Sequence, residues 1–125
     1  MINPYVNFPP NKPIKPSGPR MGKPGEVYTY SAFSTDPNGD QIYYKFDWGD
    51  GTCTSWMGRY RSGSMVNATH AWSKPGTYEV KVKAKDVYGS ESPWSDPLSV
   101  TMPRLFIKNL MGRFLQRIFS LIPME

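Results

Sequence analysis

Between Thr77 and Asp86 the chain reads Thr-Tyr-Glu-Val-Lys-Val-Lys-Ala-Lys-Asp, with apolar and polar residues in strict alternation. Tyr78, Val80, Val82 and Ala84 fall on one side of an extended backbone, and Glu79, Lys81, Lys83 and Lys85 on the other. A period of two excludes a helix, whose like-facing positions recur every three or four residues. The run predicts a strand with one dry and one wet face, as antiparallel sheets use. Gln41 to Trp48 repeats the pattern, with Ile42, Tyr44, Phe46 and Trp48 sharing a side. Val27 to Phe33, Ser64 to Trp72 and Trp94 to Met102 read as further strands. Turn chemistry separates them at Asp36-Pro-Asn-Gly-Asp40, Gly49-Asp-Gly51, Lys74-Pro-Gly76 and Tyr88-Gly-Ser90. Short strands at such spacing predict an all-β sandwich.

The flanks differ from this body. Residues 1–24 contain seven prolines, which forbid helix and favour an extended, semi-rigid linker. The Lys12 to Gly22 half is expected to serve as a sheet edge, where proline is tolerated. No charged start followed by an apolar run marks a signal peptide, and a module cut from a larger protein is expected. Residues 25–102 are expected to form the sandwich. Residues 103–125 change period: Ile107, Leu110, Met111, Phe114, Leu115, Ile118, Phe119 and Ile122 follow helical spacing. Lys108, Arg113 and Arg117 take the opposite face, and arginines at the bilayer centre cost about 2.5–3.5 kcal/mol each. An amphipathic helix lying on a membrane surface, on a partner or on a second copy is expected, not a span.

Charge and rare residues restrict the chemistry. Residues 25–103 hold seven basic and nine acidic side chains, so the net charge of +5 resides in the two ends. A nucleic-acid-binding domain concentrates basic charge on its folded surface, and no nucleic-acid partner is expected. One cysteine and one histidine exclude a Cys- or His-based zinc cluster. Any enzyme with a histidine base would have to be built around His70 alone.

The most specific string is Phe46-Asp-Trp-Gly-Asp-Gly-Thr52, a strand running into a tight Gly-Asp-Gly turn. It follows Asp36-Pro-Asn-Gly-Asp40 and precedes His70-Ala-Trp72 and Pro75-Gly-Thr-Tyr78-Glu-Val80. In that order these motifs resemble the PKD (polycystic kidney disease) domain family over roughly residues 12–102, most closely modules of secreted archaeal and bacterial proteins. Trp48, Trp72 and Asn38 depart conservatively from the usual Phe, Tyr and first-turn residues. The resemblance implies an immunoglobulin-like sandwich of about seven antiparallel strands, located outside the cell and without catalysis. It also assigns Asp47, Trp48, Gly49, Asp50, Gly51, His70, Trp72 and Tyr78 to a structural motif.

Asp47 and Asp50 are expected to hold their turn instead of forming a catalytic carboxylate pair. His70 is expected to brace two strands through Asp47 or Asp50. Asp36, Asn38 and Asp40 alternate like the start of a calcium loop, and Asp86 would join them in space, although the distal glutamate of an EF-hand is lacking. Some PKD-like domains of secreted collagenases bind calcium, so a structural calcium ion is the one cofactor considered, beside a plain Asx turn. Asn67-Ala-Thr69 is an outward-facing glycosylation triplet. Cys53 is expected to be a small, buried or half-buried, inert hydrophobe. Tyr43, Trp56, Tyr60 and Trp94 are the outward aromatics that, beside the lysine row, would form a surface able to stack sugars; alone, the lysines keep a sheet soluble.

These readings lead to a non-catalytic extracellular or cell-surface module for adhesion or assembly, the terminal part of a larger protein. Its expected partners are protein or polysaccharide at the cell surface, with the C-terminal helix providing attachment. The alternative is an accessory domain that carries a linked enzyme to polysaccharide or protein fibre.

Overall fold

Six strands form in the computed structural model, which describes residues 6–104. They are β1 Tyr28–Ala32, β2 Ile42–Asp47, β3 Met57–Tyr60, β4 Val66–His70, β5 Gly76–Asp86 and β6 Leu98–Met102. β1 pairs with β4 in one sheet, and the order β3-β2-β5-β6 makes the other, with every pairing antiparallel. The two layers close over the residues that alternation predicts: Ile42, Tyr44 and Phe46 from β2, and Val80, Val82 and Ala84 from β5. Tyr30, Ala32, Val66 and Ala68 face them from the smaller sheet, and Leu98, Val100 and Met102 complete the core from β6.

Three expectations need correction. β3 is absent from the predicted strands, because Met57-Gly-Arg-Tyr60 has no alternation and sits at a sheet edge with an irregular register against β2. The last strand begins at Leu98, not near Trp94. Pro93 precedes that stretch and Pro97 interrupts it, and a proline has no N–H to donate to a ladder. The buried hydroxyls of Ser92 and Ser95 instead accept the β5 amides of Ala84 and Val82 at 2.9 and 3.0 Å. Six strands also stand where about seven are expected.

The proline-rich segment supplies the remaining closure. Ser17 and Ser31 exchange backbone hydrogen bonds, and further along Thr101 donates to the Arg20 carbonyl while Gly22 donates to that of Thr101. One stretch of chain thus touches β1 of the first sheet and β6 of the second, through single bridges at Ser17 and Met21. The Lys12 to Gly22 segment, expected as a sheet edge, meets the sheets at these isolated bridges and forms no continuous strand among the described residues. The helix predicted for Ile107, Leu110, Met111, Phe114, Leu115, Ile118, Phe119 and Ile122 lies outside the described residues.

Candidate functional site

The Gly-Asp-Gly turn places the chain's single histidine. Asp47 accepts the Gly49 amide at 2.9 Å, and one Asp50 oxygen accepts the Thr52 amide at 3.0 Å. The other Asp50 oxygen lies 2.8 Å from His70 Nε2, so the brace runs through Asp50. Burial tends to raise the Asp50 carboxyl, yet hydrogen bonds from Thr52 and His70 outweigh it and hold the group below its ordinary range. The His70 ring stacks on Trp48 at 4.7 Å between centroids, with its edge toward Trp72. Trp72 Nε1 donates to the Trp48 carbonyl at 3.0 Å, and the Tyr78 hydroxyl donates to that of Lys74 at 2.6 Å. One Asp50 oxygen therefore holds the turn after β2 while the other ties that turn to His70 of β4.

A second constellation gathers Asp36, Asp40 and Asp86, each with one carboxylate oxygen within 4.8 Å of the others. Two donors each about 2.4 Å from one calcium ion are separated by at most about 4.8 Å, so the spacing is that of a shared ion. One oxygen of Asp36 accepts the Asn38 and Asp40 amides, as an Asx turn requires. Its Oδ1 is buried with no hydrogen-bond partner, and Asp36 is only 6% exposed. An uncompensated buried carboxylate oxygen is costly, and a cation would satisfy it. The Asp40 carboxyl is raised, first by partial loss of water and then by the charges of Asp36 and Asp86. Asn38 does not belong to this set. Its side chain accepts the Phe8 amide and donates to the Val6 carbonyl, fastening the N-terminal segment. That segment also brings Asn7, whose amide donates to Asp86 at 2.8 Å across 79 positions. No local signal in the sequence marks Asn7.

The outer face of the larger sheet carries the third. Cross-strand register sets Tyr43 beside Lys85, Lys45 beside Lys83, and Asp47 beside Lys81. Trp56 lies under two ammonium groups, Lys85 at 4.6 Å and Lys45 at 5.2 Å from its centroid. Trp94 takes Lys83 at 5.1 Å and Lys81 at 5.4 Å, and Tyr43 takes Lys85 at 5.4 Å. The structure thus unites Tyr43, Trp56 and Trp94 with the lysine row and adds Lys45, whose place on the wet side of β2 was legible in the alternation. Tyr60 is exposed but lies on the other side of the sheet from the lysines, opposite Ile42 in the register and with its ring 6.4 Å from that of Tyr44. Asn67 is exposed, as alternation predicts, whereas Cys53 is exposed, not half-buried.

Comparison with known proteins bears on this arrangement. The family model described as PKD domain matches residues 13–96. The PKD domain of an M14-like peptidase from Thermoplasmatales archaeon SCGC AB-540-F20 is 48% identical, with a TM-score of 0.74, covering 79% of this chain and 100% of that one. The CARDB domain of the PF1109 protein from Pyrococcus furiosus, described in complex with di-metal ions, is 9% identical with a TM-score of 0.53. That alignment covers 80% of this chain and 98% of the other, and is a likeness of fold alone. Curated proteins give no match. With its turn, its brace and strands β1 to β5 inside the matched span, and nearly half its aligned residues shared with an archaeal PKD module, this chain belongs to the PKD domain family.

Proposed function

We propose that this PKD domain is a non-catalytic accessory module of a larger extracellular or cell-surface protein, holding that protein against a polymer through the outer face of its larger sheet. The observation that carries the reading is the distribution of side chains. His70, Asp47 and Asp50 serve the fold, while Tyr43, Trp56, Trp94 and four lysines share one solvent-facing surface. Aromatic rings on a rigid sheet give contact area at little entropic cost, the property a polymer-binding face needs. The related module from an M14-like peptidase supports an enzyme-linked setting, and adhesion or assembly uses the same surface. The apolar spacing of residues 107–122 supports a role for the tail in attachment to a membrane surface, a partner or another copy.

Co-sedimentation of the full chain with cellulose, chitin and collagen fibrils tests the binding role. Retention on at least one matrix is expected, with loss in the Trp56→Ala, Trp94→Ala double variant. Retention unchanged in that variant would remove the sheet face from the account.

A second reading rests on the orphaned oxygen of Asp36: the cluster of Asp36, Asp40 and Asp86 holds a structural calcium ion. Calcium at about a hundred times its dissociation constant would add about 2.7 kcal/mol of stability. A rise in melting temperature with calcium, abolished by Asp36→Asn, is the expected result. An unchanged melting temperature at millimolar calcium would end this reading.

A further inference from the structure

We propose that the polymer taken by the lysine–tryptophan face is an anionic polysaccharide, its carboxylate or sulfate groups held between Lys45 and Lys85 over Trp56; this rests on the face being the binding surface. The argument begins with charge. Four of the seven basic residues in positions 25–103 stand on this face, although that part of the chain has more acidic than basic groups. Lys83 is paired with Glu91 at 2.9 Å, and Lys81 lies 4.0 Å from Asp47. Lys45 and Lys85 make no ion pair among the described residues, and both sit over the same indole. Two cations are therefore left without anions beside a flat apolar ring. The concentration of positive charge is felt at Glu91, whose carboxyl is lowered first by the Lys83 hydrogen bond and, beyond that, by the charges of Lys83, Lys85 and Lys45.

The register makes this arrangement costly when nothing is bound. Lys45 stands directly opposite Lys83, and like charges facing each other across a pair of strands destabilise the sheet. An anion lowers that repulsion. The face belongs to β2 and β5, which are interior strands with neighbours on both sides. A partner cannot add itself there as another strand and must be read by side chains. A row of lysines at two-residue spacing, about 7 Å per step, suits a ligand whose charges also repeat. Sugar rings contribute apolar C–H faces to stack on indole, and uronate or sulfate groups supply the charge. An acidic peptide supplies charge without the rigid ring faces, so Trp56 separates the two.

Affinity electrophoresis and calorimetry of the full chain would use polygalacturonate and dextran sulfate, with neutral dextran and poly-glutamate as comparisons. Binding to at least one anionic polysaccharide is expected, weakened about tenfold by Lys45→Gln with Lys85→Gln and by about as much by Trp56→Ala. The equal charge change Lys15→Gln with Lys23→Gln, in the proline-rich segment and not over Trp56, is expected to leave binding within about twofold of wild type. Equal losses from both lysine pairs would show attraction to general positive charge and overturn the proposal. Poly-glutamate bound as tightly as the polysaccharides, with Trp56→Ala silent, would replace it with an acidic-peptide site. Retention on cellulose, chitin or collagen through Trp56 and Trp94, without binding to the charged polymers, would overturn the anionic specificity and leave the accessory-module reading standing. No binding to any of these polymers would remove both.

Discussion

Trp72→Ala is expected to destabilise the domain by about 3–5 kcal/mol, the range for removing a fully buried aromatic side chain. Trp72 has no exposed surface and is ringed by Tyr30, Trp48, His70 and Tyr78, with centroid separations of 4.8–6.1 Å. Its removal empties the junction between the two sheets, and none of these rings can collapse into the space without losing its own contacts. For a domain of this size each kcal/mol is worth about 4–8 °C in melting temperature. Trp72→Phe restores much of the volume but leaves the Trp48 carbonyl without the indole N–H, and a cost of about 1–3 kcal/mol is expected. Thermal melts of the two variants check the order. A loss below about 1 kcal/mol for Trp72→Ala would mean that this cluster does not hold the sheets together.

Gly49→Ala carries the second large effect, and Gly51→Ala is its control. Both glycines have positive φ, +78° and +91°, where a side chain costs about 1–2 kcal/mol. They differ in surroundings. A Cβ at Gly49 would stand 2.7 Å from the Glu79 nitrogen and 2.8 Å from its carbonyl oxygen, whereas one at Gly51 would meet open space. Those atoms belong to the backbone of β5, which cannot swing aside as a side chain can. Gly49→Ala is therefore expected to cost about 1–3 kcal/mol more than Gly51→Ala, the usual penalty of overpacking. Urea unfolding of the two variants measures the difference. Equal costs would show that β5 yields at Glu79, and that only the turn conformation requires glycine.

The strands that alternation predicts are present because their signal is carried by each segment alone. Whether Val80 and Val82 face inward follows from a period of two, once one face must be dry. The Asp36 and Asp50 turns were legible for a similar reason, since their hydrogen bonds reach only two to four residues along the chain. β3 escaped notice because an edge strand needs no apolar stripe. The late start of β6 was hidden by serines that accept β5 amides in place of a neighbouring strand, an arrangement visible only when the loop is seated.

The candidate sites divide along the same line. Local pattern was enough to put the lysines on a wet face and the glycines in turns, and the family resemblance brought His70 to the Gly-Asp-Gly turn without choosing between Asp47 and Asp50. Local pattern could not separate Tyr60, which lies on the Ile42 side of the sheet, from Trp56 and Trp94, which lie beneath the lysines. Nor could it release Asn38 from the acidic group or bring Asn7 to Asp86. Those outcomes depend on how distant strands align and how the loops between them cross the ends of the sheets. Alignment is settled by burying all the inward faces at once, a condition on the whole chain that no short stretch of residues contains.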